Sequence, residues 1–157
     1  MPRSPTPIPA GPLIYGLLGL IPFVAPPVLA LARPGLASSL LQAQAIYAAL
    51  ILSFLGGARW GFAVLRDPPP LRTVSLSMLP TLAALSLLLT PERLAPEPLS
   101  PERLAPWRLG ALALALALHG LWDARGGAGP SWYPRLRAGL TAVACLGLLA
   151  GAGLAHG

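Results

Sequence analysis

The sequence predicts an all-α membrane protein, a bundle of five transmembrane helices with its N-terminus in the cytoplasm. Apolar residues make up 55% of the 157 residues and charged residues only 10%, against roughly 25% charged in a soluble globular domain. Five apolar runs are separated by short segments rich in proline, glycine and arginine, and most of these runs are long enough to cross a bilayer. We therefore expect a disordered tail at residues 1–12 and one transmembrane domain at residues 13–157, with spans at about 13–32, 42–65, 74–89, 107–122 and 138–155.

The net charge of +6 comes from eleven arginines scattered singly or in pairs near the ends of the apolar runs. A dense basic stripe studded with aromatic residues, as in nucleic-acid-binding proteins, is absent from the sequence. The arginines therefore indicate anchoring at lipid headgroups, with the bilayer as partner and no nucleic acid. With five spans, six arginines fall on the N-terminal side and four on the other, which favours a cytoplasmic N-terminus. The chain uses arginine and no lysine, which is typical of proteins encoded by GC-rich bacterial genomes. In a bacterium, a helical membrane protein is expected in the inner membrane.

The first run, Leu13 to Ala32, is twenty residues long and contains Pro22, Pro26 and Pro27. Prolines inside a helix remove backbone donors and clash with the preceding turn. We expect the run to be kinked or unwound in its second half. A cleaved signal peptide ending at Ala30-Leu31-Ala32 is the alternative interpretation.

The second run, Gln42 to Leu65, carries small residues at strict four-residue intervals. On a helix this spacing forms one slowly drifting stripe that lets a neighbouring backbone approach closely. The run is therefore predicted to be the central helix of the bundle. The stripe consists of Ala45, Ala49, Ser53, Gly57 and Gly61.

The third run, Val74 to Leu89, is short, contains Pro80 and bears several hydroxyl side chains. We expect its neighbours to bury it, because a short kinked segment with serines faces lipid poorly. After it, the sequence PERLAP occurs twice, at 91–96 and 101–106, and each copy follows a hydroxyl residue, Thr90 or Ser100. A hydroxyl residue, a proline and an early glutamate mark a helix start. The duplication therefore predicts two short helical turns near the headgroups.

The fourth run, Trp107 to Trp122, alternates alanine and leucine, which on periodicity alone would also fit a strand. Both residues are good helix formers and the chain offers no partner strand, so a helix is predicted. The fifth run, Ala138 to Ala155, carries a second row of small residues suited to close packing. This row includes Ala144, Gly147, Gly151 and Ala155.

One small polar cluster is predicted at the cytoplasmic end of the bundle. Arg59 is an arginine inside a span, where a charge costs on the order of 3 kcal/mol at mid-membrane. His119 and Asp123 are four residues apart on the fourth span, and so share one helix face. We expect an Arg59–Asp123 ion pair with His119 beside it. The cluster is either a ligand-binding, proton-linked site or a structural charge pair that fixes helix register.

Other chemistry is not indicated. The single cysteine, Cys145, lies in an apolar run and has no partner for a disulfide or a metal site. The sequence contains no recognisable catalytic constellation and no phosphate-binding loop. It therefore predicts no catalytic residues, no metal and no cofactor.

The segment Tyr47 to Gly61, YAALILSFLGGARWG, resembles the signature of the transmembrane protein 69-like family, bacterial and mitochondrial membrane proteins of unknown function. Gly16 to Phe23, Asp123 and Trp132 to Arg137 extend the resemblance over nearly the whole chain from residue 13. The resemblance implies a five-helix membrane protein with no established activity, and it opposes the signal-peptide alternative.

Two main functions remain open from the sequence. The first is a non-catalytic scaffold or assembly factor for a membrane complex, acting as a homo-oligomer or within a larger assembly, which the small-residue stripes favour. The second is a small proton-linked carrier that uses Arg59, His119 and Asp123, with the proline-broken helices as moving parts. An intramembrane enzyme acting on lipid or quinone is a third, less favoured hypothesis.

Overall fold

The computed structural model describes residues 6–90, 101–125 and 129–155. These residues form seven α-helices grouped into five helical stretches, and no strand occurs among them. The helices are α1 Ala10–Leu18, α2 Ile21–Ala32, α3 Ala37–Val64, α4 Leu71–Leu76, α5 Leu79–Leu89, α6 Pro101–Arg125 and α7 Tyr133–Leu154, with a 3-10 turn at Pro34–Leu36 before α3. The predicted all-α architecture is confirmed.

Four stretches are long and apolar enough to cross a membrane, at Ala10–Ala32, Pro34–Val64, Leu71–Leu89 and Tyr133–Leu154. α6 is not among them, although its 25 residues would measure about 37 Å at 1.5 Å per residue. Its sequence includes Arg108, His119 and Asp123, which make it less apolar than the other four. The fifth crossing and the cytoplasmic N-terminus stay predictions.

The first stretch breaks earlier than its prolines suggested. α1 begins at Ala10, inside the predicted tail, and ends at Leu18, and α2 then begins at Ile21. Pro22 lies in the first turn of α2, where a helix needs no N–H donor. Pro26 and Pro27 lie inside α2 and are buried, yet the helix continues to Ala32. The expected unwinding of the second half is therefore wrong, and the kink lies at residues 19–20.

The third stretch is two helices joined at residues 77–78. The Ser77 hydroxyl donates to the Val74 carbonyl oxygen at 2.6 Å, and Pro80 lies in the first turn of α5. The expectation that this stretch is buried is wrong. Leu79, Leu82 and Leu85 are each more than half exposed, because α5 packs against α3 and α6 through one face only.

The second PERLAP copy is the first part of α6, which runs without a break through Pro106. α6 therefore begins six residues before the predicted span, and this copy makes no separate turn. The first copy lies outside the described residues. Thr90 is the C-cap of α5, and its hydroxyl donates to the Ser86 carbonyl oxygen at 2.6 Å.

α3 is the central helix and packs against α2, α5 and α6. Ala45 and Ala49 of the predicted stripe are buried, and Ser53 is half-buried. At the other end of the stripe, Gly57 is exposed, and both Gly57 and Gly61 face open space. Positions four apart on an α-helix drift by about 40°, since each residue turns about 100°. The stripe therefore rotates away from the core towards its C-terminal end.

The two glycines of the α7 row lie at close helix contacts. A Cβ at Gly147 would overlap the Phe23 carbonyl group of α2. A Cβ at Gly151 would overlap the Gln44 side chain of α3. α7 can approach α2 and α3 this closely because neither position carries a side chain.

Candidate functional site

A cluster of charged side chains forms where the C-terminal parts of α3 and α6 meet the first turns of α7. α3 contributes Arg59, α6 contributes Asp123 and α7 contributes Arg137. Their exposed fractions are 4%, 2% and 8%. The three charged groups are thus buried, and an unpaired charge in a buried position would be costly.

Arg59 is held by three contacts from α6. Its Nη1 donates to Asp123 Oδ1 at 3.0 Å and to the Trp122 carbonyl oxygen at 3.2 Å. Its guanidinium carbon lies 4.0 Å from the centroid of the Trp122 ring. A planar guanidinium can form hydrogen bonds at its edge while its face stacks on an aromatic ring. Arg59 therefore joins α3 to α6 through a hydrogen-bonded ion pair and a cation–π contact.

Arg137 binds the other oxygen of the same carboxylate, with Nε donating to Asp123 Oδ2 at 3.2 Å. Arg137 is absent from the cluster predicted from the sequence, because the apolar residues alone place the start of the fifth span at residue 138. α7 in fact begins at Tyr133. Pro134 in its first turn, a common helix-start residue, was the available signal.

His119 lies beside Asp123, as its spacing predicted. Its Nδ1 is 3.5 Å from Asp123 Oδ2, which is long for a hydrogen bond. Both ring nitrogens are buried without a hydrogen-bond partner among the described residues. The ring packs edge-on against Trp122, with centroids 5.6 Å apart. Arg59, His119 and Asp123 are therefore brought together.

The cluster carries excess positive charge. Arg59 and Arg137 are two permanent cations, whereas Asp123 is one anion. No other carboxylate in the described parts of the chain lies within ion-pair distance of either arginine. Arg59 Nε and Arg137 Nη2 are also buried without partners there. The site can accept a further anion or hydrogen-bond acceptor.

A second polar connection joins α2, α3 and α7. Gln44 is fully buried, and its Nε2 donates to the carbonyl oxygens of Phe23 at 2.8 Å and Gly147 at 2.9 Å. The Tyr47 hydroxyl donates to the Gly19 carbonyl oxygen at 3.0 Å, at the break between α1 and α2. Sequence reasoning did not single out these hydrogen bonds. The sequence does contain a signal for them. Gln44 lies close to an apolar run, and the prolines of the first run lack backbone N–H donors.

Two cavities border the cluster. The first has a volume of about 380 Å³, lies among α1, α2, α3, α6 and α7, and is lined in part by Arg137 and Thr141. The second, of about 470 Å³, lies among α3, α4, α5 and α6, and is lined in part by His119 and Trp122. The remaining lining of both is mostly apolar. Each cavity therefore combines an apolar space with polar groups from the cluster region.

The part of the chain that the structure describes contains no group of three or more metal-ligating side chains. Cys145 is half-buried, with its Sγ 3.3 Å from the Ala113 carbonyl oxygen. That contact is a weak thiol hydrogen bond between α7 and α6.

Comparison with known proteins places this fold in a family. A family model described as "Protein of unknown function (DUF3429)" matches residues 8–153. The chain is 37% identical to Transmembrane protein 69 of Xenopus tropicalis over 143 residues, covering 88% of this chain and 52% of the frog protein. It is 41% identical to Transmembrane protein 69 of Mus musculus over 88 residues, covering 53% of this chain and 36% of the mouse protein.

The chain thus spans about half the length of the frog relative and less of the mouse one. No solved structure matches. The relatives are named transmembrane proteins, in agreement with the four apolar stretches that could cross a membrane. The chain is a multi-pass membrane protein that belongs to the DUF3429, transmembrane protein 69-like family.

Proposed function

We propose that this protein is a non-catalytic scaffold or assembly factor of the bacterial inner membrane, with five spans and a cytoplasmic N-terminus. The observation that carries the proposal is the use of its buried polar groups. Asp123 is bound by arginines from two other helices, and Gln44 connects α2, α3 and α7. These groups connect helices to one another, as expected of a rigid bundle that serves as a platform.

A partner helix has a place to bind on this platform. Gly57 and Gly61 of α3 are four residues apart, and a Cβ at either would meet open space. Glycines at this spacing on an outward face allow a second membrane helix to approach closely. The outward rotation of the small-residue stripe thus supports a partner or a second copy at this surface.

The experiment is extraction from the membrane in a mild detergent, followed by sizing and an inventory of co-purifying proteins. We expect a stable partner or a self-oligomer with the unaltered chain, and its loss in the G57L/G61L variant. Leucine has a higher helix propensity than glycine, and its Cβ at either position would have no neighbouring atom within 4 Å, so we expect the monomer to fold.

The matched control is Gly139→Leu, at a glycine on α7 that also faces open space. This variant should keep the partner. A monodisperse monomer without any partner would contradict the scaffold proposal. Equal loss of the partner in G139L would show that the Gly57–Gly61 surface is not the specific binding site for the partner.

A proton-linked carrier is the second candidate function, and one observation favours it. The buried nitrogens of His119 have no hydrogen-bond partner within the described ranges of the chain, and His119 lines the 470 Å³ cavity. A neutral imidazole in this position can accept a proton that enters from the cavity.

The carrier hypothesis is tested in proteoliposomes with an internal pH-sensitive dye and an imposed membrane potential. It predicts a proton flux above that of protein-free vesicles, lost in His119→Gln and in Arg59→Leu variants that still insert. Flux no greater than in empty vesicles would contradict uncoupled proton transfer through His119.

A further inference from the structure

We infer that the 380 Å³ cavity is a binding site for one acyl chain of an anionic phospholipid, whose phosphate group is held at Arg137. Nothing in this inference depends on the scaffold role. The site is indicated by the shape of the cavity, by the position of its polar groups and by the charge of the neighbouring cluster.

The cavity is polar at one end and apolar along its length. Arg137 and Tyr133 lie in the first turns of α7, and Arg137 is four residues into the helix, about 6 Å from its start. Ala144, which also lines the cavity, lies about 10 Å further along α7. The polar end thus lies at headgroup depth and the apolar part extends towards the bilayer centre, as in an amphiphile.

Lipid can enter this cavity from the side. Tyr15 and Phe54, which belong to its lining, are 77% and 68% exposed, so the cavity opens on the outer face of the bundle between α1 and α3. Gly16 contributes no side chain to this wall, and Leu140 of α7 lies against it. A volume of this size falls within the range of small-molecule sites and suits a single chain rather than a whole lipid.

The charge of the site favours an anionic group. Arg59 and Arg137 outnumber Asp123, and Arg137 Nη2 is buried without a partner among the described residues. The Thr141 hydroxyl oxygen, one turn further into the cavity, is likewise buried and unpartnered. A phosphate would neutralise the excess charge and accept hydrogen bonds from the guanidinium group, a pairing that arginine forms well. Basic pockets between membrane helices bind acidic lipids in this way.

The test is native mass spectrometry of the delipidated full chain, titrated with phosphatidylglycerol, with phosphatidylcholine of identical acyl chains, and with inorganic phosphate alone. We expect one phosphatidylglycerol per chain, bound at least about tenfold more tightly than phosphatidylcholine. Both lipids carry the phosphate, but the choline ammonium would add a third cation beside Arg59 and Arg137. Equal affinity for the two lipids would overturn the proposal. If inorganic phosphate competes with phosphatidylglycerol for the site, the ligand is a free anion and the proposal of a lipid is wrong.

Three variants locate the site. Arg137→Gln should abolish the preference for phosphatidylglycerol. The exposed Arg135, two residues earlier on the same helix, provides the control: Arg135→Gln should leave the preference unchanged, and an equal effect of both variants would indicate surface charge alone and overturn the site. Ile51→Phe, which fills the cavity without changing its charge, should weaken the binding of both lipids.

Arg137 also binds Asp123, so Arg137→Gln can fail to fold. Ile51→Phe and Thr141→Val then decide. Valine keeps the shape of Thr141 against Gly120 and removes only the hydroxyl group. If neither variant changes lipid binding, the cavity is not the site.

Discussion

Gln44 of α3 donates its side-chain N–H to the carbonyl oxygen of Phe23 in α2, at 2.8 Å. In a regular α-helix this carbonyl would accept from the N–H four residues on, but that residue is Pro27, which has none. A proline inside a membrane helix is tolerated where a neighbouring helix supplies the missing donor. Gln44 therefore compensates for Pro27, and α2 stays helical through both of its internal prolines.

The first prediction concerns this compensation. Gln44→Leu should lower the free energy of unfolding by about 1–3 kcal/mol, because it leaves the buried Phe23 carbonyl group unsatisfied. In a Pro27→Ala background, which restores the helical N–H, the same substitution should cost clearly less. The measurement is a double-mutant cycle on unfolding in mixed detergent micelles.

Gln42→Leu is the matched control, since Gln42 is exposed on the same helix. Its effect on unfolding should be small. Strict additivity of Gln44→Leu and Pro27→Ala would disprove the compensation.

The second prediction concerns the carboxylate that two arginines share. Asp123→Asn should destabilise the protein by about 3–5 kcal/mol, the usual cost of removing one partner from a buried ion pair. It leaves Arg59 and Arg137 buried without their anion. The loss is measured from the detergent unfolding midpoint and from the amount of protein in the membrane.

Asp67→Asn changes an exposed aspartate and should be nearly neutral. The double variant D123N/R59L should be less unstable than the sum of its single changes, because the two residues are in contact. Additive losses would mean that the 3.0 Å contact contributes nothing to stability.

The third prediction concerns the close approach of α7. Gly147→Ala and Gly151→Ala should each cost about 1–3 kcal/mol, the range for overpacking a tight core. The added methyl group would overlap the Phe23 carbonyl group in the first case and the Gln44 side chain in the second. The measurement is again the unfolding midpoint.

At Gly139, where a methyl group meets open space, alanine should be neutral or stabilising, because it raises helix propensity. Similar effects at all three positions would show that propensity, and not the helix contact, determines the result.

The fourth prediction concerns topology. In a Cys145→Ala background, a cysteine at Thr90 should react with a membrane-impermeant thiol reagent in cells whose outer membrane has been permeabilised. A cysteine at Ser131 should react only after the inner membrane is opened as well. Reaction of both positions from the same side would show that α6 does not cross the membrane, and a cytoplasmic Thr90 with an external Ser131 would reverse the orientation.

Local rules predicted much of the candidate site. Arg59 lay within an apolar run and Asp123 lay one turn from His119, so their burial on neighbouring helices followed from helix geometry and the cost of an unpaired charge. Arg137 was missed because hydropathy locates the apolar part of a span and not the start of its helix. α7 begins five residues before the predicted span. Arg137 therefore lies in a helix of the bundle and not in a loop.

The packing of α3 and α5 could not be read from composition alone. The four-residue row on α3 was visible, but which of its members face the core depends on where α2, α5 and α6 cross it. Ala45 is consequently buried and Gly57 exposed. The exposure of Leu82 depends likewise on how many neighbours α5 has, which is a property of the whole bundle.

The residues that share the Asp123 carboxylate have a consequence for biosynthesis. Arg59 leaves the ribosome first, its anion follows 64 residues later, and Arg137 completes the set after 14 more. During translation the nascent protein therefore holds an unneutralised cation in the bilayer until α6 arrives. A polypeptide truncated before Asp123 retains Arg59 without this anion, so we expect it to be less stable in the membrane than the full chain.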